Sequence, residues 1–100
     1  MRAVGLMRHG GPEVLEVVEV PQVHVGPGQV RVRVYAAAVN PTDTLARNGS
    51  RAQAQSVDPP PYVPGMDVAG VVDEVGSAVT TGVAIGDAVM GMVVPKGAHG

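Results

Sequence analysis

Residues 29–44 read Gln29-Val30-Arg31-Val32-Arg33-Val34-Tyr35-Ala36-Ala37-Ala38-Val39-Asn40-Pro41-Thr42-Asp43-Thr44. Val30, Val32 and Val34 alternate with Arg31, Arg33 and Tyr35. A strand turns successive side chains to opposite faces, so this segment is expected to bury its valines and wet the other face. Over residues 36–39 the pattern becomes apolar on both faces. The strand is therefore expected to run from the surface into a packed region just before Asn40, where a polar side chain needs partners. Pro41 suits the first position of a helix and Asn40 can cap it. Asn48-Gly49 supplies a stop. One strand thus feeds one short helix over residues 41–49.

Outward from this segment the chain keeps the same style. Residues 1–7 are short and apolar and meet a turn at His9-Gly10-Gly11-Pro12. Residues 14–20 carry Glu16 and Glu19, three apart after Glu13, which is a helical spacing. The density of valine and the closing Pro21 favour a strand. Val25-Gly26-Pro27-Gly28 is a further turn. Residues 63–75 form a long strand with Gly70 inside, and such a glycine marks a bulge or the close approach of another backbone. Residues 85–94 read as a turn and then a strand. Residues 50–58 are small and polar and close on Pro59-Pro60-Pro61, a surface loop with a stiff polyproline end. About five strands with glycine and proline between them argue a small antiparallel barrel or sandwich in one domain.

Composition narrows the function classes. Valine is used 22 times, Phe and Trp are absent, and Tyr35 and Tyr62 are the only aromatic residues besides histidine. A β-branched, aromatic-poor chain favours strands. The net charge is -2 and the seven basic residues are scattered, so no footprint for nucleic acid or an anionic membrane is seen. Without cysteine there is neither a disulfide nor a thiolate metal site. No apolar run approaches the ~20 residues of a membrane span. A cytoplasmic protein is the expectation.

Several segments, in order, resemble the N-terminal, GroES-like domain of the medium-chain dehydrogenase/reductase superfamily. They are Gly10-Gly11-Pro12-Glu13-Val14-Leu15, Gly26-Pro27-Gly28-Gln29-Val30, Val39-Asn40-Pro41-Thr42-Asp43-Thr44, Pro64-Gly65-Met66-Asp67-Val68-Ala69-Gly70, and Val75-Gly76 with Gly86-Asp87-Ala88-Val89. The subgroup most resembled is the zinc-free quinone oxidoreductase branch, related to zeta-crystallin. The resemblance implies a mainly β fold, a GroES-like, partly open antiparallel β-barrel with one short helix. It implies that residues 1–100 are the catalytic domain, incomplete at its C-terminus, and that the nucleotide-binding Rossmann domain lies outside this chain. Gly26-Pro27-Gly28 is no substitute, because it lacks the third glycine and precedes a strand. The chain alone is expected to be inactive.

Zinc-dependent relatives carry Cys at the position of Asn40 and His at the position of Met66, followed by an acidic residue that Asp67 matches. An amide and a thioether are poor zinc ligands, and His9, His24 and His99 fall outside the ligand motif. No metal is expected. The zinc-free branch implies NADPH delivering hydride to a quinone or an α,β-unsaturated carbonyl, with the protein supplying position and electrostatics. On that reading Asn40 and Thr44 are the catalytic hydrogen-bond donors. Pro41, Thr42, Asp43 and Leu45 line the nicotinamide end of the cofactor. Many relatives have tyrosine where Leu45 stands, which removes one donor here. A homodimer is a common state among relatives.

Plainer readings stand beside these. Asn40 is a helix cap whatever else it does, and Asp43 is favoured in a first helical turn by the dipole. Arg47 reads as a solvated charge, and His9 and His99 read as loop residues. Tyr62 either packs the loop or walls the substrate cleft. A freestanding GroES-like barrel with a binding or assembly role, and no catalysis, is the alternative function.

Overall fold

Alternating valine segments punctuated by glycine and proline pair as antiparallel strands, and the computed structural model shows five of them. It describes residues 1–50 and 59–93. The strands are β1 (Arg2–Gly5), β2 (Glu16–Glu19), β3 (Val30–Ala36), β4 (Asp67–Val75) and β5 (Ala88–Met92), with one helix, α1 (Pro41–Asn48). They form a two-stranded sheet β1-β2 and a three-stranded sheet β3-β4-β5, both antiparallel. The chain is mainly β, and neither sheet closes into a barrel among the described residues, as the partly open form requires. The expected loop over residues 51–58, His99 and the C-terminal loop lie outside the described residues.

The chain divides into two compact units. The first holds β1, β2, α1 and residues 59–66. In it Arg2 pairs with Glu19, Ala3 with Val18, Val4 with Val17 and Gly5 with Glu16. Its core is Leu6, Val14, Val18 and Val20. Leu6 is 1 % exposed, and burying such a side chain contributes roughly 1.5–3 kcal/mol. Leu6 and Tyr62 exchange backbone hydrogen bonds of 2.9 and 2.8 Å. The strand reading of residues 14–20 holds, with a later start. Gly11 and Pro12 hold Val14 in a 3-10 turn through Val14 N–H to Gly11 O and Leu15 N–H to Pro12 O.

The second unit holds residues 22–37 and 67–92. Gly70 works there as the sequence suggests: a Cβ on it would overlap the Arg33 carbonyl oxygen. The register between β3 and β4 shifts beside it, between Val34 and Ala36. The expected burial along β3 is not found. Val72 on β4 is 1 % exposed, but Val34 is 51 % exposed and Val39, beyond the strand, 85 %. Residues 36–39 are all exposed. Alternation decides which side chains share a face, whereas burial needs a layer over that face. On β3 such cover reaches Val32 only in part.

Arg31 ties β3 to the end of β4. Its Nε donates to Asp73 Oδ1 at 2.8 Å and its guanidinium reaches Glu74 Oε2 at 2.9 Å and the Val23 carbonyl at 3.0 Å. Glu74 accepts from the Val25 N–H at 3.1 Å. That bond pulls the Glu74 pKa below the ordinary glutamate value, partial burial opposes it, and Arg31 and then His24 add to the lowering. A carboxylate with a depressed folded pKa stabilises the fold above its unfolded pKa, ~4.3, and the contribution is lost as pH falls through the folded value. Denaturation midpoints measured across acid pH are expected to drop through that window. Glu74→Gln is expected to flatten the drop.

Candidate functional site

The segment that follows the exposed Val39 is built around the ends of α1. Asn40 sits at the N-cap in extended conformation, φ -122° and ψ 162°, with Pro41 at the first helical position. Asn40 and Asp43 form a capping box. The Asp43 Oδ2 accepts from the Asn40 backbone N–H at 2.8 Å, and the Asp43 N–H donates to the Asn40 backbone carbonyl at 2.9 Å, with the Asn40 side chain beside it. The box satisfies donors that a helix start leaves without partners, and the Asp43 charge meets the positive end of the dipole. An amide has separate accepting and donating ends. With its oxygen turned to the cap, Asn40 keeps its N–H groups for other partners.

The other predicted residues occupy the same two turns. Thr44 is exposed, and its hydroxyl donates to the Pro41 carbonyl at 2.6 Å. In this conformation its oxygen offers acceptor capacity and its proton is used within the helix. Pro41 and Leu45 are exposed one turn apart, Leu45 by 40 %. Thr42 and Asp43 are half-buried. One short helix thus presents an apolar strip, Pro41 and Leu45, flanked by the polar Asn40 and Thr44. Small-molecule sites combine apolar lining with a few placed polar groups in this way.

At the other end Gly49 takes the left-handed conformation, φ 87°, and Asn48 Oδ1 accepts from the Ser50 N–H and hydroxyl at 2.9 and 2.6 Å. Here the structure adds contacts that the readings of His9 as a loop residue and Arg47 as a solvated charge did not include. Neither is an ordinary solvated residue: both are half-buried and they face each other's segments. His9 Nδ1 lies 3.1 Å from the Ala46 carbonyl oxygen, Gly10 N–H donates to Arg47 O at 3.0 Å, and Arg47 Nε donates to Gly10 O at 3.3 Å. The His9 ring lies flat on Tyr62, with centroids 5.1 Å apart and 9° between planes. Of the two roles open to Tyr62, this contact and the Leu6 bridge document packing. The signal for His9 in the sequence was slight: a ring just ahead of a Gly-Gly turn.

Among the described residues no group of three or more His, Asp or Glu side chains could hold a metal ion, and no helix is long and apolar enough to cross a membrane.

Residues 26–99 match the alcohol dehydrogenase GroES-like domain family, and the chain belongs to that family. Within it, the relatives assign the chain to the quinone oxidoreductase branch of the medium-chain dehydrogenases/reductases. It is 42% identical over 85 residues to the quinone oxidoreductase of Mus musculus, which covers 80% of this chain and 24% of that protein. A solved NAD-dependent alcohol dehydrogenase aligns with a TM-score of 0.80 and 47% identity, over 90% of this chain and 25% of that one. The Escherichia coli quinone oxidoreductase complexed with NADPH aligns with a TM-score of 0.73 and 33% identity, over 90% of this chain and 26% of that one. The chain spans about a quarter of the length of these proteins.

Asp43 contributes to the fold through the box and the dipole together. Asp43→Ala is expected to lower stability by about 1 kcal/mol, read as a shift in the urea midpoint with an unchanged slope.

Proposed function

We propose that the full-length protein is a zinc-independent, NADPH-dependent oxidoreductase that reduces quinones or α,β-unsaturated carbonyls, with this chain as its substrate-side domain. The observation that carries the reading is the capped Asn40–Thr44 turn within a family-matching domain, with an amide where metal-dependent relatives hold a thiolate. On this reading a nucleotide-binding domain in the same polypeptide holds most of the cofactor, and the protein is cytoplasmic and works as a homodimer. A quinone is a cross-conjugated enone, so the two substrate classes share one electrophile.

The donor set of α1 suits the nicotinamide end of NADPH. Pro41 and Leu45 would pack against a flat ring, and the Thr44 oxygen, its proton already given to Pro41 O, can accept from a carboxamide N–H. Bound NADPH would supply a hydride, which carries both electrons of the reduction, while solvent supplies the proton that completes the hydroquinone or saturated ketone. Asn40 is the donor for the oxygen that gains negative charge. A neutral amide, oriented beforehand by its cap, stabilises that charge without reorganising. Losing one such donor costs ~10²–10³ in turnover in well-studied oxyanion sites. Thr42 and Asp43 act through the backbone geometry of the same turn.

The alcohol dehydrogenase likeness favours a second reading, NAD-dependent oxidation of an alcohol. One assay separates them. Purified full-length protein is expected to oxidise NADPH with 1,4-naphthoquinone faster than NADH, and to reduce NAD poorly with simple alcohols. Asn40→Ala is expected to lower kcat at least tenfold while its folded fraction stays in the majority. Unchanged turnover of the folded fraction would leave Asn40 as a cap alone.

A further inference from the structure

None of the eight residues of α1 is buried. A helix is normally seated by an apolar face in the core; α1 has only a half-buried face, Thr42, Asp43, Ala46 and Arg47. Its N-terminal capping box joins Asn40 to Asp43. The last turn of a helix leaves carbonyl oxygens without helical partners, and here two of them, Ala46 O and Arg47 O, are taken by His9 and Gly10. Arg47 Nε returns a bond to Gly10 O.

His9 is held from three sides. A carbonyl oxygen only accepts, so Nδ1 carries the proton that bonds Ala46 O. The ring face is stacked on Tyr62. The His9 Cβ faces Gly49, where a methyl group would come within 3.2 Å of it. A turn needs none of this to close, and the Gly10-Gly11 backbone already provides the reversal.

We propose that His9 is a positioning residue for the reduction: its Nδ1–H bond to Ala46 O sets the pose of α1, and so the angle at which Asn40 meets the substrate and Thr44 the cofactor. The inference rests on the functional reading above. An eight-residue helix is about 12 Å long, so a small rotation at Ala46 displaces Asn40 appreciably. Misplacement of a reacting contact by ~1 Å can cost on the order of 10²-fold in rate. The ring stack, by contrast, is a packing contact whose loss is felt in stability.

Two substitutions in the full-length enzyme separate donor from ring. His9→Asn keeps an N–H donor at the position of Nδ1 and loses the stack. His9→Phe keeps the stack and loses the donor. With NADPH and 1,4-naphthoquinone, His9→Phe is expected to lower kcat about tenfold with KM within about threefold, and to melt near the wild type. His9→Asn is expected to recover most of kcat while melting lower. If His9→Phe does not fold, His9→Leu replaces it with the same expected loss. Equal kcat in the donor-less and Asn variants, or kcat falling in the order of melting temperature, would overturn the positioning role. A wild-type enzyme that reduces no quinone would instead overturn the functional reading, and the proposal with it.

Discussion

Helix α1 exists by virtue of its ends. With no side chain buried, it is held by the Asn40–Asp43 box at one end and by the turn at residues 8–11 at the other. An eight-residue helix is marginal in water by itself, so its termini weigh heavily in whether it forms. The candidate catalytic and cofactor-binding side chains, Asn40 to Leu45, lie on it or at its cap. The remainder of the first unit, the β1-β2 sheet with Leu6, Val14, Val18 and Val20 beneath it, gives the clamp a fixed base. Leu6, three residues before His9, bridges to Tyr62, on which His9 stacks.

The helix and its caps were legible in the sequence because capping is a local code. Asn40, Pro41, Asp43 and Gly49 each do a job set by residues within four positions, and the structure uses all four so. Gly70 was legible for a related reason: a glycine inside a strand of valines has few purposes, and the Arg33 carbonyl supplies one. The clamp was not legible. His9 and Ala46 are 37 residues apart, and no local rule links a turn histidine to a distant carbonyl. The burial along β3 was misread on similar grounds. Valine alternation names a shared face, while the layer that would cover Val34 or Val39 is a tertiary matter.

On the proposed reading, Asn40 would let a dehydrogenase-type domain dispense with a metal. Zinc polarises a substrate oxygen through charge; here the same oxygen would meet an amide already oriented by its cap. The exchange trades strength for simplicity, since an amide has no protonation state to maintain near neutral pH. It suits a quinone, which accepts hydride more readily than a simple ketone.

On the proposed reading, reduction proceeds with Asn40 in place of a metal. The direct measurement is elemental analysis of the full-length protein, purified without chelator, alongside its NADPH-dependent quinone turnover. Full turnover with far less than one zinc per chain, and no response to added chelator, is expected. One zinc bound per chain, with turnover lost on its removal and restored by its return, would contradict it.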